Sequence, residues 1–217
     1  MMLRALATFA FIAAIPPALS ADPHLGGMAE EVLGSEWAAP TYVGNQWATI
    51  GFAAVPDLPA FDPDRVAFAT VIAAFGGEPV SEELFENSPL LWLCYDTGGK
   101  RTTFVSLGTI LELPDAPPAI SLIVEEVVAE QSPDCDDNPA AASPQAIPDL
   151  PGVGASLSDL EDHFGEAPVD SGGHLAYVSN TQMSGSVEGV ATKIVYYRIE
   201  SGTITGVGFL QRFEPNA

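Results

Sequence analysis

Positive charge is scarce in this chain: seven lysines and arginines stand against 29 aspartates and glutamates, a formal net charge of −22. Such a field repels phosphate backbones and anionic lipid surfaces, which argues against nucleic-acid or membrane-surface binding. It favours cationic partners, divalent metals or plain solubility, of which a solvated acidic surface is the simplest. Cysteine is nearly absent as well, and the two present, Cys94 and Cys135, lack the C-x-x-C spacing of a redox pair. Beyond the N-terminal stretch no segment is apolar enough to span a bilayer, so no transmembrane segment is expected. Catalytic signatures are missing too. There is no H-E-x-x-H, no G-x-S-x-G, no Walker loop, and no G-x-G-x-x-G between a strand and a helix. The glycines of "PGVGAS" (151–156) follow a proline turn and read as a helix entry. No cofactor is expected.

What is present begins with residues 1–21, which read as a cleavable signal peptide. Arg4 gives a positive start, Ala5 to Ile15 is apolar, and "ALSA" offers small residues for cleavage after Ser20 or Ala21. No cysteine stands at that point, so no lipid anchor is expected, and the predicted location is periplasmic or extracellular. In an exported chain two cysteines predict one disulfide, Cys94 to Cys135. Closing that loop of about forty residues stabilises by roughly 4 kcal/mol in the chain-entropy view.

The chain also says one thing twice. Pro-Asp-Leu-Pro opens two stretches, at 56–59 and 148–151, each leading into a short helix. Asp62-Pro63-Asp64 precedes "RVAFATVIAAFGG"; Ser156 or Ser158 caps "LSDLEDHFG", with carboxylates where the helix dipole favours them. Both helices stop at Phe-Gly, with a proline soon after. Three β-rich runs follow each: "PLLWLCYD", "RTTFVSLGTI" and "AISLIVEEVV" in the first copy, "HLAYVSN", "TKIVYYRIE" and "TITGVGFLQRF" in the second. The expectation is an α+β fold of two tandem units, each a short helix plus a three-stranded antiparallel meander; whether they share one sheet is open. The expected division is 22–130 for the first unit with its N-terminal extension, 131–147 for a Pro/Ala/Ser/Asp-rich linker loop, and 148–217 for the second unit. Within 22–55, "GGMAEEVLGS" reads as a short helix and "NQWATIGFAAV" as a strand, without a place in the plan.

Candidate chemistry is thin. His24 lies near the mature N-terminus, His163 ends the second helix, and His174 starts a strand. A helix-borne and a strand-borne histidine meeting would bind metal or share a proton, but zinc wants three or four ligands, and no further ligand stands at suitable spacing. The loop "SPDCDDNP" supplies Asp134, Asp136, Asp137 and Asn138 without the D-x-D-x-D-G rhythm of an EF-hand, so no metal site is assigned there.

The second copy carries a family likeness. "G-x-S-x-x-x-L-x-x-x-F-G-x-A-P", then "LAYVSN" and "KIVYYRIESGTITGVGF", resembles the repeat of the β-lactamase-inhibitor-protein fold and of the small outer-membrane-assembly lipoproteins (SmpA/OmlA type). The likeness covers 148–213, more loosely 56–128, and implies a tandem binding scaffold. This chain departs from the lipoprotein members in lacking their lipid-bearing cysteine.

Strand alternation completes the reading. Val195, Tyr197 and Ile199 share a face with Val207, Phe209 and Phe213, predicted to pack on the helix. The opposite face carries Tyr196, Arg198, Leu210 and Arg212, read as an exposed, partner-binding face because aromatic and arginine side chains anchor protein interfaces. The expected function is an exported non-enzymatic protein-binding or envelope-interaction module with a protein partner, a basic one by charge. The alternative is a periplasmic or secreted hydrolase with a carboxylate/histidine site between the two units.

Overall fold

The computed structural model describes residues 24–36, 68–85, 88–106, 121–136, 150–165, 168–183 and 188–215. The signal-peptide reading, the "NQWATIGFAAV" strand, the start of the first repeat and most of the 131–147 linker fall outside them.

Helix α1 spans Gly27–Glu36 and α2 spans Phe68–Phe75. Four strands follow: β1 (Val80–Phe85), β2 (Ser88–Thr97), β3 (Lys100–Ser106) and β4 (Leu122–Val127). Then come α3 (Leu157–Phe164), β5 (Val169–Ser171), β6 (His174–Met183), β7 (Gly189–Glu200) and β8 (Thr203–Pro215). All eight strands form one antiparallel sheet, ordered β1-β2-β3-β4-β8-β7-β6-β5.

This order corrects the expected fold class. The chain is not an α+β pair of helix-plus-three-strand units: among the described residues one eight-stranded sheet joins both halves. Each half of it is a four-strand meander, and the last strands of the two halves pair at the centre, from Leu122 opposite Leu210 to Glu126 opposite Gly206. The six strand-rich runs read from the sequence are β2, β3, β4, β6, β7 and β8. The two unforeseen strands are the edges. β1 is acidic and follows a proline, and β5 is three residues long, so neither has the apolar alternation that marks a half-buried strand; hydrogen bonding to a long neighbour makes them strands.

Local signals place α3 well. Ser156 caps it: its hydroxyl accepts from the Asp159 N–H at 3.2 Å, and the Asp159 carboxylate accepts from the Ser156 N–H at 2.8 Å. The Ser156 hydroxyl also donates to Asp159 Oδ2 at 2.7 Å, and this bond first, then the one from the Ser156 N–H, holds the Asp159 carboxyl below the usual carboxylate range. Gly165, at φ 65°, ends the helix in the left-handed conformation that suits glycine, its N–H bonded to the Glu161 carbonyl at 2.9 Å.

The sheet is buried on both faces. On one, α2 and α3 bring Val71, Phe75 and Leu160 onto Tyr95, Phe104, Ile123, Tyr177, Val195, Tyr197, Val207 and Phe209. On the other, Leu25, Met28, Ala29, Val32 and Leu33 lie over Leu90, Trp92, Val105, Leu122, Val124, Ile194, Tyr196 and Leu210. Within α1, Met28, Ala29, Val32 and Leu33 are spaced by one turn and share a face, and Leu25 just before the helix extends it. Burying each of the larger side chains contributes about 1.5–3 kcal/mol before entropy is counted. The short helix read in "GGMAEEVLGS" thus has a place: it is the lid of the second face.

The close approach of α1 depends on β8. Gly206 and Gly208 lie beneath Met28, and a Cβ on Gly206 would stand 2.5 Å from the Met28 sulfur. An alanine there requires the helix to lift or Met28 to change rotamer.

Candidate functional site

At the end of the sheet where α1 begins, the apolar layer gives way to charge. Strand register lines these residues up across the sheet: Asp96 on β2 opposite Arg101 on β3, Arg101 opposite Glu126 on β4, Glu126 opposite Gly206 on β8, and Gly206 opposite Arg198 on β7. Opposite charges therefore alternate along one transverse row, on the face α1 covers. His174 stands beyond Arg198 on β6, one residue before the Leu175–Tyr197 pair.

Asp96, 1% exposed, accepts two bonds from the Arg101 guanidinium, Nε to Oδ1 at 2.7 Å and Nη2 to Oδ2 at 2.8 Å. The Ser132 N–H adds a third at 2.6 Å, tying the segment after β4 to the row. The hydrogen bonding to Asp96, aided by the charges of Asp96 and Glu126 and opposed by burial, raises the Arg101 pKa above its ordinary value. Glu126, buried like Asp96, accepts the Met28 N–H at 3.1 Å, so a carboxylate meets the positive end of the α1 dipole. Its Oε2 also pairs with Arg198 Nη2 at 3.1 Å. Arg198 reaches further, toward Glu31 on α1 at 3.8 Å and Glu200 at 3.7 Å, and Glu31 Oε2 lies 3.1 Å from His174 Nε2. The Glu126 Oε1 and His174 Nδ1 atoms are buried without a hydrogen-bond partner among the described residues. Chemically this is a fastening: helix start, sheet centre and loop are joined by charge-assisted bonds.

Beside the row, Cys94 and Cys135 form a disulfide with Cα atoms 4.8 Å apart. The bond lays the chain along the free end of β2. The Asp136 N–H donates to the Cys94 carbonyl and the Asp96 N–H to the Asp136 carbonyl, both at 3.0 Å. Tyr95, on the opposite face, donates to the Gly76 carbonyl at 2.7 Å, and its pKa is pushed up to about 12 by burial and then by the charge of Asp136. A cavity of about 10 Å³ lies next to the disulfide, lined among others by His24, Trp92, Arg101 and Ser132. That is room for about one water, far below an organic substrate.

The predicted contact face is corrected here. Tyr196 is 0% and Leu210 1% exposed, both beneath α1, so neither can meet a partner while the helix is in place. Arg198 is a member of the buried row, its side chain 21% exposed. Arg212 lies on β8, and its side chain is outside the described residues. The alternation itself is as read: Val195, Tyr197, Val207 and Phe209 form the layer beneath α2 and α3.

The histidines do not come together. His163 is exposed on α3 with its ring edge-on to Phe164, whereas His174 is buried on the face that α1 covers, and His24 pairs with Glu30 at 3.2 Å. Asp134 lies in an exposed turn and Asp136 bridges to β2, while Asp137 and Asn138 fall outside the described residues. Among the described residues no group of three or more His, Cys, Asp or Glu is arranged to hold a metal ion. No helix among them is long and apolar enough to cross a membrane.

Sequence reasoning missed Asp96, Arg101, Glu126 and Glu31. A signal existed for Glu126, an acid inside the apolar run "SLIVEEVV", but its significance depends on which strands flank it. Comparison with family models, with curated proteins and with solved structures finds no match to this chain.

Proposed function

We propose that the protein is an exported, non-enzymatic binding module that engages a basic protein partner through its acidic exterior, in the periplasm or outside the cell. One observation carries the reading: acids outnumber cations about four to one, and three of the cations among the described residues are already held by carboxylates. Of the seven lysines and arginines, Lys100 pairs with Glu125, Arg101 with Asp96 and Arg198 with Glu126. Acids meanwhile occupy the outside, with Asp159, Glu161 and Asp162 exposed on α3 and Glu30 and Glu31 on α1. A strongly acidic surface steers cationic partners and repels copies of itself.

The test is capture from native envelope and culture fluid, with the mature chain as bait at low and high salt, against an α3 variant carrying Glu161→Gln and Asp162→Asn. Retention of a basic protein that salt and the neutralised variant both weaken is the expected result. Retained proteins that are acidic, or indifferent to salt, overturn the reading. Tyr196→Ala is unsuitable as a control for contact, because it opens the core.

A further inference from the structure

The two ends of the sheet differ in what they leave open. β5 is three residues long, and its Asp170 is turned back to accept the Gly173 N–H. β1 is twice as long and is the outermost strand on its side among the described residues. Its pairing is set by a proline. Pro89, opposite Glu83, has no N–H to give, so that pair takes the non-hydrogen-bonded place in the ladder and the neighbouring pair, Glu82 with Leu90, takes the hydrogen-bonded one. Alternation then turns the main-chain N–H and C=O of Ser81 and Glu83 outward, and Ser81 is exposed.

A strand edge with outward donors and acceptors is a template for another strand. The sequence around this one, "EPVSEELFE" (78–86), holds four glutamates and no lysine or arginine. Antiparallel pairing of two copies would set Glu82 and Glu83 against each other's counterparts, and like charges directly opposite disfavour a pair. An extended segment bearing lysine or arginine meets the reverse condition.

We propose that the outer edge of β1 docks an extended basic segment of a partner protein, which joins the sheet as an added strand through the main-chain groups of Ser81 and Glu83. The proposal rests on the acidic-exterior reading above and gives it a location. Main-chain bonds supply the pairing, and the glutamates select against neutral or acidic segments.

The probe is a synthetic peptide of about seven residues alternating lysine with valine and threonine, enough to span β1 at about 3.4 Å per residue. A glutamate version of equal length and disordered polylysine are the controls. With the full chain, the expected result is salt-sensitive binding of the lysine peptide, slowed amide exchange at Ser81 and Glu83, and no such slowing with polylysine. Ser81→Pro removes an outward N–H that β2 does not use, at a strand edge where proline is tolerated, and is expected to weaken the peptide about tenfold or more. Ser81→Lys, which keeps the N–H and adds a like charge, is expected to weaken it as well, and covers the case in which the proline variant fails to fold. Lysine-peptide binding without protection at Ser81 and Glu83 overturns the edge proposal and leaves the charge reading standing. Failure of the lysine peptide and polylysine to bind at all overturns both. A dimer of the free protein that Ser81→Pro dissolves overturns the choice of occupant in favour of a second copy.

Discussion

On one face of the sheet two helices press Val71, Phe75 and Leu160 onto an aromatic floor of Tyr95, Phe104, Tyr197 and Phe209. On the other, one helix among the described residues lays Met28, Ala29 and Val32 over Trp92, Val124 and Tyr196, and its first turn is fastened to a row of buried charges. The first cover relies on apolar packing. The second adds to its apolar burial a close approach over Gly206 and a charge-assisted bond to Glu126. A lid of one helix needs its angle and depth fixed, and directional bonds fix them where non-directional burial does not.

Large-to-small changes in the two floors should cost the most and should cost alike. Phe209→Ala and Tyr196→Ala are each expected to lose about 3–5 kcal/mol in urea unfolding. A much smaller loss for Tyr196→Ala would mean that α1 contributes little cover. Next, Arg101→Ala leaves the Asp96 carboxylate buried without its partner, which is expected to destabilise by about 3 kcal/mol. Replacing the pair together, with Asp96→Asn and Arg101→Met, should recover part of that loss, since the cost lies in the stranded charge.

Alkali should break the first face selectively. Burial raises the pKa of Tyr95 to about 12 and raises that of Tyr197 as well. The neutral phenols are favoured in the folded state, so this contribution is whole below pH about 10, the unfolded tyrosine value. It is lost as pH rises toward and through the folded values. Ultraviolet titration should show these two tyrosines ionising only together with unfolding; earlier ionisation would place them in contact with water.

Gly206→Ala acts on the second face alone. It is expected to cost about 1–3 kcal/mol, and hydrogen exchange should quicken in α1 while α3 is unchanged. The smallest effect is at the first face's helix start, where Ser156→Ala removes the cap for about 1 kcal/mol. Because the cap holds the Asp159 carboxyl below its usual range, its share of stability is present above pH about 4 and lost as pH falls through the folded value. The variant should therefore show a shallower acid limb than the wild type.

Much of this was legible in the chain. The cap at Ser156, the stop at Gly165, the six apolar strands and the short helix in "GGMAEEVLGS" are local patterns, and each is decided by residues within a few positions of one another. The alternation along β7 and β8 also assigned Tyr197 and Phe209 to one side and Tyr196 and Leu210 to the other. What alternation does not say is whether the second side meets water. Tyr196 looked like an anchor for a partner because nothing in its own strand names the helix that covers it, some hundred and sixty residues earlier in sequence.

The sequence by itself determined the periodic elements, the sign of the protein's charge and the one cysteine pairing open to it, because these follow from neighbours along the chain or from counting. Tertiary structure decided that the two halves share one sheet, that both faces are buried, and that Asp96, Arg101, Glu126 and Arg198 stand in one row. Those facts depend on register between strands far apart in sequence, and a register is set by the packing of the whole sheet.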